Sequence, residues 1–181
     1  MTKAPSMKFF SILALAWCVS SAIAASVQFD PRAGVTTVID VRGSEITLKT
    51  STGSNVMEQK IHFETERPLN LVIDDFDFDG TIDFSAWSLD EGKGVFEMHR
   101  VFLYDAAHST FKEAFPKCGD EFMNLRVDHP NKVLVSTYFR DGAPATCHSI
   151  GAFLQGAMPW RLLKARAAKI WTRPLRAVGF D

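Results

Sequence analysis

Apolar and polar residues alternate with a period of two along most of the chain from Val35 onward, and Gly, Pro, Asn or Asp clusters interrupt the alternation at short intervals. Side chains of an extended strand point to opposite faces in turn, so this period selects strands over helices. "VTTVIDVR" (35–42) is rich in β-branched residues, and "EITLKT" and "VMEQKIHF" flank the turn sequence "STGSN". Further strands are expected at "LNLVI", "TIDFSAWSL", "VFEMHRVFLYD", "TFKEAF", "FMNLRVD", "VLVSTYF" and "TCHSIGAFL", with turns at "DEGKG", "AAHS", "PKCGD", "HPNK" and "RDGAPA". Strands of this length with polar breaks predict an all-β fold, a single antiparallel domain that is either propeller-like or sandwich-like. The length of 181 residues and a 46% hydrophobic content suffice for one core.

The two ends depart from this pattern. Lys3 and Lys8 precede the apolar run "FFSILALAWCV", and Ala22-Ile23-Ala24 supplies a small-x-small end. These three parts predict a signal peptide over 1–24, cleaved before Ala25, with Met7 as an alternative start. The run is short of the roughly 20 residues that a membrane anchor needs. Trp17 before Cys18 is too bulky for a lipoprotein signal. The remaining 25–181 is expected to be the β domain and its basic C-terminal segment. Residues 25–158 hold twelve basic and twenty acidic residues, a net −8, whereas 159–181 carry six basic residues against Asp181, a net +5. The segment 160–171 reads either as an amphipathic helix or as a final strand. As a basic helix it would make weak contact with an anionic membrane surface; the plainer reading is an exposed basic face.

After removal of 1–24, two cysteines remain, Cys118 and Cys147. An even pair in an exported chain predicts one disulfide and a periplasmic or secreted location. A Cys147–His148 nucleophile is the competing reading, but adjacent residues on a strand face opposite ways and do not readily share a proton.

"DDFDFDGTIDF" places Asp75, Asp77, Asp79 and Asp83 within nine positions, with Gly80 and Thr81 between them. D-x-D-x-D-G-x-x-D is the order in which a chain coils around a calcium ion. Carboxylates come at positions 1, 3 and 5, glycine allows the reversal at 6, a backbone carbonyl comes from 7 (Thr81), and a carboxylate closes at 9. An EF-hand is excluded: position 12 is Ala86 where a bidentate glutamate is required, and the flanks are strand-like. The loop resembles the calcium loops between strands of FG-GAP, integrin-type repeats. Phe76, Phe78, Ile82 and Phe84 are expected to turn away from the ion into the core.

Residues 44–170 resemble the family of small exported bacterial proteins with one FG-GAP-like calcium loop. That family includes periplasmic immunity proteins against lysozyme-like toxins of a bacterial-killing type IV secretion system, and is similar in structure to inhibitors of invertebrate-type lysozyme. The resemblance rests on "LVIDDFDFDGTIDF", on "VFEMHRVFLYD" followed by "STFKEAF", and on "LRVDHPNKVLVSTYFRDGA". It implies calcium at Asp75, Asp77, Asp79, Thr81 and Asp83, and a protein partner such as a lysozyme-like peptidoglycan hydrolase. The related inhibitors block lysozyme with a Ser-Gly-x-Tyr loop, and no Ser-Gly dipeptide occurs here; the nearest counterpart is "RDGAPA".

Three functions compete. Catalysis is disfavoured, because the five histidines show no metal-ligand spacing and no G-x-S-x-G elbow occurs. A binding module fits better, with "DEGKG" and "RDGAPA" as recognition loops and Arg140 and Asp141 as contact residues. Its acidic body would attract a basic hydrolase. The third reading is an envelope structural or adhesion protein without an enzyme target.

Overall fold

The computed structural model describes residues 25–150. The expected signal peptide over 1–24, the basic segment 159–181 and the choice between helix and strand at 160–171 lie outside the described residues. Among the described residues there is no helix, and eleven strands form two antiparallel sheets.

Sheet A is a meander of β1 (Ala25–Arg32), β2 (Val35–Arg42), β3 (Glu45–Thr52) and β4 (Asn55–His62). Its connections are two residues long. At 43–44 and 53–54 a glycine leads the turn, with φ of 59° at both Gly43 and Gly53, the torsion that a tight hairpin requires and that a side chain would oppose. The expected five-residue turn "STGSN" thus contracts to Gly53-Ser54. Strand β1 adds an element with no counterpart among the sequence expectations. Its alternation is short, Pro31 stands just before its end, and it adjoins the apolar N-terminal run.

Sheet B contains β5 (Asn70–Asp74), β6 (Asp83–Leu89), β7 (Glu97–Asp105), β8 (Thr110–Ala114), β9 (Phe122–Asp128), β10 (Val133–Arg140) and β11 (Ala143–Ser149). The order is β11-β10-β9-β7-β6-β5. One edge of β7 serves two neighbours: Met98 and His99 pair with β9, and Val101 to Asp105 pair with β8. The turn after β10 is also tighter than "RDGAPA" suggests, because Arg140 pairs with Ala143 across Asp141-Gly142. Pro144 is accommodated inside β11 because that strand lies at the sheet edge.

The two sheets face one another across an aromatic core, so of the two architectures the sequence allowed, the sandwich-like one fits. Val35, Ile39, Ile46, Leu48, Ile61 and Phe63 meet Phe84, Ala86, Phe102, Tyr104 and Phe111. Phe84 stacks on Phe102 at 4.8 Å and meets Phe111 edge-on at 5.1 Å. The run "VFLY" in β7 has no exposed face. Phe102 and Tyr104 enter this core, and Val101 and Leu103 enter a second one with Phe76, Ala114, Phe122 and Leu134.

Two cross-links reinforce the sandwich, one between the sheets and one within sheet B. Gln59, in β4, donates to Phe111 O (2.8 Å) and accepts from Phe111 N–H (3.0 Å), so one side-chain amide closes the free edge of β8. The disulfide Cys118–Cys147 joins the β8–β9 loop to β11 across a Cα separation of 5.9 Å. Loss of Gln59 would leave both polar groups of a buried backbone without partners. Gln59→Ala is therefore expected to lower stability by about 2–4 kcal/mol in urea denaturation, against about 0.5 kcal/mol or less for Lys49→Ala on the exposed face of β3. Reduction of the disulfide, which spans 29 residues, is expected to cost about 3–4 kcal/mol by the same measurement.

Candidate metal centre and partner face

The acidic loop, residues 75–82, connects β5 to β6, strands paired in register from Asn70↔Trp87 to Asp74↔Asp83. A hairpin that must turn over eight residues needs internal partners, and the carboxylates supply them. Asp75 accepts from the N–H groups of Asp79 (3.1 Å) and Gly80 (2.9 Å), curling the loop back on its first residue. Gly80 sits at φ 90° and Phe78 at φ 62°. For phenylalanine that torsion costs about 1–2 kcal/mol, offset by packing of its ring edge-on to His129 at 5.9 Å. Phe76 and Phe84 are fully buried as the alternation implies, whereas Phe78 and Ile82 are half-buried.

The carboxylates of this stretch divide into two sets. Asp74 faces His129 Nε2 at 3.1 Å, and one oxygen of Asp79 takes both the N–H (2.7 Å) and the hydroxyl (2.5 Å) of Thr81. The other three, Asp75, Asp77 and Asp83, each turn an oxygen to a common point, with the oxygens within 4.8 Å of one another. Of the five expected ligand residues the structure thus brings three together and places Asp79 and Thr81 against each other at the rim. The sequence places His129 only in the turn "HPNK"; its contact with Asp74 spans 55 residues, and no local pattern signals it.

Asp83 is the anchor. It is fully buried and accepts from the N–H groups of Phe76 (3.1 Å) and Tyr104 (2.8 Å), which joins the loop to the central strand β7. Burial pushes its carboxyl up to about 8, with the Asp77 charge adding to the rise and the Tyr104 N–H opposing it. Burial, then the charges of Asp79 and Asp75, raise Asp77 to about 6. At such separations each pair of like charges repels by about 3 kcal/mol at an effective dielectric near 20. An all-carboxylate donor set with one member cut off from water fits a hard divalent cation.

A second region lies at the far ends of β6 and β7. Loop 90–94 is held rigid by Asp90, which accepts from Val95 N–H (2.7 Å) and Phe96 N–H (2.8 Å), and by Glu91, which accepts from Thr65 Oγ1 (2.5 Å). Phe96 meets Phe139 edge-on at 5.8 Å, bringing this loop beside the end of β10 and the turn at 141–142. The two loops singled out in the sequence are therefore neighbours. Val95 and Phe139 are 60% and 49% exposed, two apolar side chains open to solvent. Arg140 lies over the Tyr138 ring at 5.4 Å, and Asp141 occupies the turn at φ 52°.

Beside loop 90–94 opens a cleft of about 440 Å³. Glu64, Asp90, Glu91, Glu113, Asp120 and Glu121 line it against one guanidinium, Arg100, which is already paired twice with Glu113 (2.7 and 2.8 Å). The cleft is thus anionic. Ser85, His99 and Glu97 lie in sequence nearby, Ser85 Oγ 3.1 Å from His99 Nδ1 and Glu97 Oε2 3.4 Å from Nε2. These are the residue types of a hydrolytic triad, but Ser85 is fully enclosed between strands, out of reach of a substrate carbonyl. The contacts orient His99 under Trp87, with which it stacks at 5.6 Å.

The raised Asp83 carboxyl has a consequence for the cation-free chain. Its folded value exceeds the unfolded 3.8, so the protonated group stabilises the fold fully at low pH and the contribution is lost as pH rises through about 8. Between pH 7 and 9, stability in chelator is expected to fall by about 1 kcal/mol. Asp83→Asn should abolish the slope; a flat profile in the unsubstituted chain would contradict the burial of a charged Asp83. Comparison with known protein families, curated proteins and solved structures returned no match, so the reading of this site rests on its geometry.

Proposed function

We propose that the chain is a calcium-stabilised binding protein of the periplasm or extracellular space, acting as an inhibitor or immunity protein against a basic, lysozyme-like peptidoglycan hydrolase. The observation that carries the cation is the convergence of Asp75, Asp77 and Asp83 on one point, with Asp83 withdrawn from water. Calcium suits the site better than magnesium, because the ligands come from a curled loop and a strand end rather than from a tight octahedral cage. The role is structural. The ion would neutralise the loop and fasten β5–β6 to β7, adding its binding free energy to that of the fold.

The partner face is the rigid loop 90–94 with Val95, Phe96 and Phe139, flanked by the acidic cleft. Preformed loops lose little freedom on binding, and exposed apolar residues beside charged ones are the usual composition of a recognition surface. The described residues carry twelve basic and twenty acidic side chains, and a −8 body favours encounter with a cationic enzyme. The disulfide accords with an oxidising compartment.

Asp77→Ala is expected to remove calcium-dependent stabilisation, worth about 2.7 kcal/mol when the ion stands at 100 times its dissociation constant, as read by melting with and without chelator. Inhibition of a purified basic peptidoglycan hydrolase should be stoichiometric, and Val95→Glu should weaken it about tenfold or more while leaving the melting temperature in place. Equal melting curves in calcium and chelator would refute the cation, and undiminished inhibition by the Val95 variant would refute the assigned face.

A further inference from the structure

We propose that the free edge of β4 is a homodimer interface, at which two copies pair their β4 strands antiparallel about Gln59 and extend sheet A from four strands to eight. An unpaired edge invites another strand, and proteins ordinarily blunt it by brevity, proline, a bulge or a cover. The other edges among the described residues carry such devices. In β1 the register breaks between Phe29 and Arg32, Pro31 lies within the break, and its carbonyl is taken by Ile82 N–H (2.8 Å). Pro144 interrupts β11, β5 is five residues long, and Gln59 covers β8. Strand β4 has none of them before its last residue, where Arg100 takes the His62 carbonyl, and it otherwise carries only the charges of Glu58 and Lys60, which are of opposite sign. Its eight residues pair with β3 in unbroken register from Glu45↔His62 to Thr52↔Asn55, without proline, glycine or bulge.

The backbone groups on offer follow from the ladder. The two-residue turn at 53–54 and the bond from Phe63 N–H to Ser44 O (2.8 Å) direct the odd-numbered residues of β4 toward β3. Val56, Glu58 and Lys60 therefore present their N–H and C=O groups outward, as His62 presents its N–H, while the His62 carbonyl already accepts from Arg100 Nη1 (2.8 Å). The side chains of these four residues are exposed as well. Pairing about Gln59 sets Glu58 opposite Lys60 of the second copy and Lys60 opposite its Glu58, two opposite-charge pairs generated by one twofold axis. Val56 then lies opposite His62, and the apolar surface at Val56 and Met57, 62% and 45% exposed, falls at the junction. A shift by two residues in either direction loses both charge pairs, so this register is specified. In the single copy Lys60 reaches only the exposed Glu45 at 3.8 Å, a contact weak enough to yield. The interface is separate from the aspartate loop and touches the acidic cleft only at His62.

Sedimentation equilibrium of the full exported chain, in calcium, tests the pairing. The unsubstituted protein at about 100 µM is expected to show twice the monomer mass, as a micromolar association requires. Glu58→Lys alone and Lys60→Glu alone each place like charges opposite one another twice, and should raise the dissociation constant about tenfold or more. Glu58→Lys combined with Lys60→Glu restores opposite charges and should return it to within about threefold of the original. Circular dichroism of all three variants establishes that they fold. A monomer at 100 µM, singles that dimerise unchanged, or a double variant that fails to recover would each overturn the proposal, and the first would make Glu58 and Lys60 plain guards of an edge.

Discussion

The withdrawal of Asp83 from water is the constraint around which the rest is arranged. A carboxylate at the first position of β6 must find hydrogen bonds where the sheet ladder gives it none, and it takes them from Phe76 N–H and Tyr104 N–H. Those two donors belong to residues of different cores: Phe76, of the second, comes from the loop, and Tyr104, of the first, from the C-terminal end of β7. One side chain therefore fixes the entry of the loop, the start of β6 and the relation of both to the central strand. Its remaining electrostatic cost is what makes convergence of Asp75 and Asp77 on it informative. Nearby like charges raise that cost further, and a divalent cation among them would offset it by attraction to every carboxylate.

Strand β7 translates this local arrangement into a global one. Its partner on one side, β6, carries Asp83 at one end and leads into loop 90–94 at the other. The metal-site end and the proposed partner face are thus opposite ends of a single antiparallel pair, with fully buried Phe84, Ser85 and Ala86 between them. Both faces of β7 are covered, so displacement of the pair would disturb two cores. The proposed ion would then have a supporting role, stiffening one end of a scaffold whose other end holds the exposed loops.

Much of the fold was legible in the alternation. Strands β2 to β11 follow from period two and from turn residues, because half-buried strands enforce that period directly. Errors came where tertiary geometry sets the boundary. The turns at 53–54 and 141–142 are shorter than their polar runs, since polar residues on an exposed strand resemble those of a loop. Strand β1 was hidden by Pro31 and by its closeness to the apolar N-terminal run. In the loop, the spacing located every acidic residue, but not the division of labour among them. That depends on His129, which reaches Asp74 from the β9–β10 turn, and on Thr81, whose hydroxyl engages Asp79. No linear pattern carries a contact across 55 residues.

The way the sheets end ties stability to recognition. A sandwich with four or five open edges has to dispose of each, and here the devices differ in what they leave available. Pro144 and the break in β1 remove backbone donors outright, whereas Gln59 satisfies β8 with a side chain and leaves the outer backbone of its own strand untouched. Gln59 can do so because its side chain points inward while the free N–H and C=O groups of β4 belong to its neighbours, Glu58 and Lys60. The same alternation that builds the core therefore separates the residue that seals one edge from the residues that offer another. Covering β8 and exposing β4 are two results of one strand's period.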